Sequence, residues 1–204
     1  RIIQTNSAGT NAHLIDPATH EIVAVVDHIP QAHAAVDHPD GYYYYFANEL
    51  DHTIDVVDTK TLRQVMRIPL RERPNKLVIN EALRKLYVGI RDAPYVEVID
   101  LDSHEIVKSI RMVQGVHNVY VTKDYQYIIA GLGAMPATPD EPTIQVIDAN
   151  TDEIVWGATL DGNRVRPMAL ETNPDGSTKR LFAQATRLHG FYVLDWDQRS
   201  VVDF

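Results

Sequence analysis

Two histidines and an asparagine recur at one interval: His33, Asn75 and His117 stand 42 residues apart. Two arginines accompany them, Arg73 and Arg166, and Asn118 follows directly on His117. Guanidiniums favour bidentate contact with carboxylate or phosphate, while neutral imidazole and amide groups can act as donors or acceptors. Gathered at one place, such a set suits a small anion, a carboxylate or a sugar. It does not suit a metal, because no carboxylate is evident beside His33 and His117, and zinc or iron would need a further protein ligand. No cysteine occurs anywhere, which excludes disulfides, thiol catalysis, zinc-thiolate sites and covalently attached c-type haem in this span. No Gly-rich phosphate loop, nucleophile elbow or zinc-protease helix motif is present. The residues point to binding, with no catalytic residue assigned.

What must bring these positions together is a repeat. Leu14-Ile15-Asp16, Val56-Val57-Asp58, Val98-Ile99-Asp100, Val146-Ile147-Asp148 and Val193-Leu194-Asp195 mark five copies with a period of 42 to 48 residues. Short apolar runs at a period in the forties are the signature of an all-β propeller, in which each repeat forms one four-stranded blade. The third copy shows strands A to D in order at 76–79, 85–89, 96–99 and 105–110. The turn between C and D carries an Asp followed three residues later by Thr or Ser in four copies; Gln198 replaces the hydroxyl in the fifth, which predicts a looser turn. Pro39-Asp40-Gly41 and Pro174-Asp175-Gly176 predict tight A to B turns in which glycine supplies the positive φ.

Blades are expected at about 1–28, 29–70, 71–112, 113–160 and 161–204. The first lacks its A strand, so four full blades plus three strands are visible. They are read as part of a seven-bladed ring, an imperfectly closed ring of five being the alternative. Equivalent positions place His33, Asn75, His117 and Met168 in one row at the entrance of the innermost strands, with Gln31, Arg73, Gly115 and Arg166 two residues earlier on the same face. The mouth is therefore expected to hold His33, Arg73, Asn75, His117, Asn118 and Arg166, with His52 and His189 as contributors from B to C loops on the same end. Insertions at 133–142 and 160–164 are expected to raise a wall beside it. The alternative is that the polar rows only hydrogen-bond between blades and to channel water. His13, His20, His28, His38 and His104 read as surface residues. The run Tyr42 to Phe46 reads as a B strand buried on both faces rather than as a ligand platform.

The chain resembles the Tyr-Val-Thr-Asn type of β-propeller repeat found in exported bacterial and archaeal proteins. Thr5-Asn6, Tyr45-Phe46-Ala47-Asn48 and Tyr87-Val88 keep parts of its namesake motif, and the Val-Ile-Asp-x-x-Thr turn recurs. The resemblance implies a periplasmic or extracellular protein whose leader is absent from this chain. It is similar also to lactonase-like propellers and to the haem d1-binding propeller of nitrite reductases. A non-catalytic binding or scaffold module with no cofactor is expected, its partner a small polar or anionic ligand or a protein. The alternative is an enzyme, either a metal-dependent lactonase-like hydrolase or a redox propeller holding haem or quinone through His33 or His117. With 28 acidic against 19 basic residues, a net charge of -9 argues against nucleic acid. No apolar segment is long enough to span a membrane.

Overall fold

A computed structural model describes residues 1–133, 140–161 and 164–204. Among the described residues there is no helix and hence no helix able to cross a membrane. Strands β1 (Ile2–Thr5), β2 (Asn11–Ile15) and β3 (Ile22–Asp27) form a three-stranded antiparallel sheet. Four four-stranded sheets follow in chain order. The second is β4 (Ala32–Asp37), β5 (Tyr43–Asn48), β6 (Thr53–Asp58) and β7 (Gln64–Pro69); the third is β8 (Pro74–Asn80), β9 (Lys85–Ile90), β10 (Tyr95–Asp100) and β11 (Ile106–Arg111). The fourth is β12 (Val116–Val121), β13 (Tyr127–Leu132), β14 (Ile144–Asp148) and β15 (Glu153–Ala158); the fifth is β16 (Val165–Thr172), β17 (Thr178–Ala185), β18 (Gly190–Asp195) and β19 (Ser200–Asp203). The fold is an all-β propeller. Its first strands lie innermost, β8 packing between β4 and β12.

Blades pack face to face, so each interface is one apolar cluster. Ala12, Leu14 and Val26 meet Phe46 and Val57; Tyr45, Ile54 and Val56 meet Leu77, Leu86 and Val88. Tyr87, Val96 and Val98 meet Val119, Ile128 and Ala130; Ile129, Ile144 and Val146 meet Leu181, Ala183 and Leu194. Alternation along β5 explains its aromatic run. Tyr44 and Phe46 enter the cluster shared with the first blade and Tyr45 the cluster shared with the third, so a strand buried on both sides has no polar face to offer. Only Tyr42, before the strand, is exposed.

The second and third repeat turns are built as the spacing predicts, while Asp148 bonds Thr151 through its backbone alone and the Asp16 carboxylate only the backbone of Ala18. Asp58 Oδ1 accepts from Thr61 N at 2.7 Å and Thr61 Oγ1 at 2.9 Å, and Asp100 Oδ1 accepts from Ser103 N at 2.8 Å and Ser103 Oγ at 2.9 Å. These bonds hold both carboxyls below the usual carboxylate range. Asp195 accepts from Gln198 N at 2.9 Å but lacks both the hydroxyl bond and the bond from the N–H two residues on that Asp58 and Asp100 accept, so the fifth turn is the looser one expected. Gly41 and Gly176 have φ of 74° and 92°, and each closes its turn by donating to the carbonyl three residues back.

The residue four beyond each turn Asp adopts positive φ in all five copies: His20, Leu62, His104, Asp152 and Arg199. This left-handed residue carries a latch between blades. Tyr87 Oη donates to Asp152 Oδ1 of the next blade at 2.7 Å, and Lys85 Nζ meets Asp152 Oδ2 at 2.6 Å. One blade earlier, Tyr45 Oη lies 3.1 Å from His104 Nε2. At the first interface the equivalent pair is apolar, Ile3 and Leu62. His104 and His38 are thus not surface residues. His38 is buried against Tyr43 and Tyr45, and its Nδ1 accepts from Asp40 N at 3.0 Å. Arg84 closes the same corner, reaching Asp102 at 2.7 Å and Asp40 at 3.0 Å.

Burial pushes the His104 imidazole below its ordinary value of 6.5, with nearby His38 adding to the effect and Asp100 and Asp102 opposing it. A group kept neutral by the fold contributes stability that is complete above its unfolded-state value and lost as pH falls through the depressed folded value. Thermal unfolding followed from about pH 7.5 to about pH 5 should therefore show falling stability, before the low-titrating turn carboxylates protonate. His104→Gln keeps a polar partner for Tyr45 without the proton and should make that decline shallower, by at most a few degrees in Tm because solvent screens a half-exposed ring. An unchanged slope would show that this latch is not the acid-sensitive element.

Candidate functional site

Each innermost strand carries an irregularity at its entrance. Ala32 pairs with Asn48 and Ala34 with Ala47, leaving His33 as the extra residue; Val116 pairs with Leu132 and Asn118 with Gly131, leaving His117. The same slip falls between Pro74 and Leu77 and between Val165 and Met168. A bulge adds one unpaired residue, bends the strand and re-aims a side chain. Register therefore puts Arg166, not Met168, in the row with His33, Asn75 and His117. The expected alignment misses this because it gives three of the fifth copy's five extra residues to the preceding loop. Register places four of the five in the longer hairpin of β16 and β17, eight residues each.

The four residues of this row divide into two networks. The first turns on Glu49, a residue not anticipated from the sequence. Its carboxylate accepts from Asn75 Nδ2 at 3.1 Å and lies 3.7 Å from both His33 Nδ1 and Arg73 Nε. Arg73 Nε is also 3.5 Å from Asp92 Oδ2. A carboxylate does stand at the mouth, which corrects the expectation that the blades offer none. Glu49 and Arg91 are the first residues past β5 and β9, 42 apart, and their backbone N–H groups donate to the carbonyls of Gln31 and Arg73. In both, the position after the B strand bonds to the residue leading into the innermost strand.

The second network joins the fourth and fifth blades. Arg166 Nη1 contacts His117 Nε2, and His117 Nδ1 lies 2.9 Å from Asn118 Oδ1. Asn118 Nδ2 donates to Tyr120 Oη at 3.3 Å, which also accepts from Met168 N at 3.1 Å. A guanidinium can only donate, so His117 Nε2 must be the acceptor and Nδ1 must carry the proton. Burial depresses the His117 pKa more than the Asn118 bond raises it, and Arg166, Arg91 and His33 push the same way as burial. His117 is a neutral relay. This half of the mouth does hydrogen-bond between blades, as the structural alternative foresaw.

Two of the four buried side-chain atoms without a hydrogen bond among the described residues sit with the first network. Arg73 Nε and Asn75 Oδ1 are buried without a hydrogen-bond partner, and so is Gln114 Oε1 in the loop leading to β12. Asn75 is fully buried. Flipping its amide would aim oxygen at the Glu49 carboxylate, so the orientation is fixed. Native structures leave few such groups, and each one calls for a partner.

Charge at the mouth runs opposite to the protein as a whole. Burial and the guanidiniums of Arg164 and Arg91 push Arg166 below the usual guanidinium range. Among the described residues no carboxylate lies within ion-pair distance of Arg166. His33 and His117 stand edge to face with ring centroids 6.5 Å apart, so the Glu49 network and the arginine network face each other across two imidazoles.

The remaining expected contributors sit apart. His52 Nδ1 is 3.5 Å from Glu72 Oε2 at an exposed rim position. His189 lines a cleft of about 460 Å³ with Pro167, Phe182, Gln184 and Phe191 on the outer face of the fifth blade. Phe182 and Phe191 are the register equivalents of Ile129 and Ile144, which the fourth blade buries, so that cleft is a blade-packing face and not part of the mouth. Of the expected wall, 134–139 and 162–163 lie outside the described residues.

No family model matches the chain, and no curated protein matches it. Among solved structures it is similar to hydrazine synthase of Kuenenia stuttgartiensis, with TM-score 0.78 and 19% identity over 99% of this chain and 64% of that one. It is also similar to a dihydro-haem d1 dehydrogenase, NirN, solved in complex with DHE, with TM-score 0.75 and 17% identity over 98% of this chain and 42% of that one. The chain thus spans less than two thirds of either. At these identities the likeness is one of fold.

Long-range proton–nitrogen NMR of the imidazole region tests the relay. His117 should appear as the neutral Nδ1–H tautomer and stay neutral at pH 6.5, where a free imidazole is half charged. An Nε2–H tautomer, or a charged ring at that pH, would contradict the assignment.

Proposed function

We propose that this propeller is a non-catalytic binding module that takes a small anionic ligand at its channel mouth. The observation carrying this is Arg166. In a chain of net charge -9 it contacts the neutral His117 at the mouth and has no described carboxylate within ion-pair distance, whereas Arg73 and Arg91 both face Asp92. An anion would supply the missing counter-charge, and arginine offers paired donors for a carboxylate. The Tyr-Val-Thr-Asn resemblance supports an exported setting, periplasmic or extracellular, and a ring of more blades than these five sheets. The acidic surface elsewhere gives nucleic acid no footing.

One observation favours a second reading, a redox propeller holding haem. His33 Nδ1 faces Glu49 at 3.7 Å, the kind of contact by which a carboxylate orients a metal-binding imidazole and leaves Nε2 for the metal. One structural neighbour is a dihydro-haem d1 dehydrogenase, which makes haem the cofactor to test. His117 does not fit that role, because both its nitrogens are engaged. Among the described residues no three His, Asp or Glu side chains form a cluster able to hold a metal ion, so the hydrolase alternative has no ligand set to name.

Calorimetric titration with gluconate should show binding that Arg166→Ala and Arg73→Ala each weaken about ten- to a hundredfold, as the loss of one charge-assisted partner implies. Wild-type affinity in both variants would overturn the anion site. Added haemin that gives a Soret shift, abolished in His33→Ala and retained in His117→Ala, would establish the redox reading instead.

A further inference from the structure

Arg166 and His117 hold each other in a way that only one protonation state of the imidazole allows. His117 Nδ1 donates to Asn118 Oδ1 at 2.9 Å, and Nε2 accepts from Arg166 Nη1. A second proton therefore has one place to go, Nε2, where it sets two donors against each other. Protonation there breaks the Arg166 contact and releases the guanidinium. The surroundings oppose the charged ring: Arg166 of β16, Arg91 beyond β9 and His33 of β4 all act against it, and Arg164 acts in the same sense on Arg166. On β8, Lys76 is turned onto the Tyr120 ring, 4.0 Å from its centre. Of the carboxylates, Glu49 reaches His33 Nδ1 at 3.7 Å and Asp92 faces Arg73 and Arg91. Among the described residues none pairs with His117.

We infer that anion binding at this mouth takes up a proton, with His117 Nε2 as its acceptor: the anion draws Arg166 away from the imidazole, and the vacated nitrogen is protonated beside the new negative charge. The inference rests on the anion-binding function proposed above and adds its regulation. Linkage makes the effect reciprocal, so whatever favours the charged imidazole also tightens the anion. In the free protein burial above all, with the neighbouring cations, outweighs the Asn118 bond and keeps the ring neutral to below its ordinary 6.5. In the complex the ring charges at a higher pH. Affinity is therefore flat well above that pH and rises as pH falls through the two values, by up to about tenfold per pH unit for a single proton. The mouth fills in acid and empties towards neutrality.

Calorimetric titration with gluconate, whose carboxyl stays ionised throughout, between about pH 7.5 and about pH 5 tests the coupling. The wild-type chain should bind about tenfold more tightly at the acid end, and titrations in two buffers of different ionisation enthalpy should show proton uptake on binding. His117→Gln should lose this pH dependence, while His33→Gln keeps it. Affinity independent of pH, or a dependence that survives in His117→Gln, would overturn the coupling and leave the anion site standing. Absence of binding at every pH would overturn the anion site and the coupling with it. If His117→Gln does not fold, long-range proton–nitrogen NMR of the wild-type chain decides. At about pH 6.5, saturating gluconate should convert the neutral Nδ1–H ring of His117 into the charged one, and a ring that stays neutral would overturn the coupling.

Discussion

Everything at the mouth follows from one backbone irregularity repeated in each complete blade. Propeller blades bury both faces, so side chains from several blades converge only where the innermost strands enter beside the axis. A regular ladder would bring paired residues to that point, half of them turned into the blade interface. The bulge inserts one residue that the ladder does not claim, and His33 and His117 are those residues. The same slip near Asn75 and Arg166 completes the row. The scaffold thereby separates two tasks. Alternation along the strands makes the apolar clusters between blades, and the bulges deliver polar chemistry to one end.

Charge then decides what those residues do. Glu49 neutralises the second and third blades' share of the mouth and fixes the amide of Asn75. No described carboxylate does the same for Arg166, which leans on a neutral imidazole. The outcome is a bipolar site in a strongly acidic protein, with the Glu49 carboxylate at one pole and Arg166, which no described carboxylate pairs, at the other. The opposite end of the blades uses buried polarity differently. There Tyr87 with Asp152, and Tyr45 with His104, close the interfaces through pairs that satisfy each other, as structural latches should.

Architecture is legible in the sequence because the repeat is punctuated by residues whose backbone chemistry is local. Asp58 and Asp100 bind the turn that follows them, and Gly41 and Gly176 adopt the φ their turns require. The site is legible only in part. Spacing brings His33, Asn75 and His117 into one row, but a bulge has no residue signature of its own, so Arg166 falls two places out of register. Glu49 escapes because it lies outside a strand and acts across a blade boundary, where linear distance carries no information. His38 and His104 look solvent-exposed because turn histidines usually are; the aromatic B strand behind them reads as core, and nothing in its spacing says what its hydroxyls will bond.

The central claim is that the mouth binds an anion at Arg166, the guanidinium there that no described carboxylate pairs. A crystal structure of the protein with gluconate tests it most directly. The account predicts the gluconate carboxylate within hydrogen-bonding range, about 2.7–3.2 Å, of the Arg166 guanidinium. Gluconate bound with its carboxylate beside Asn75, or bound away from the mouth altogether, would contradict it.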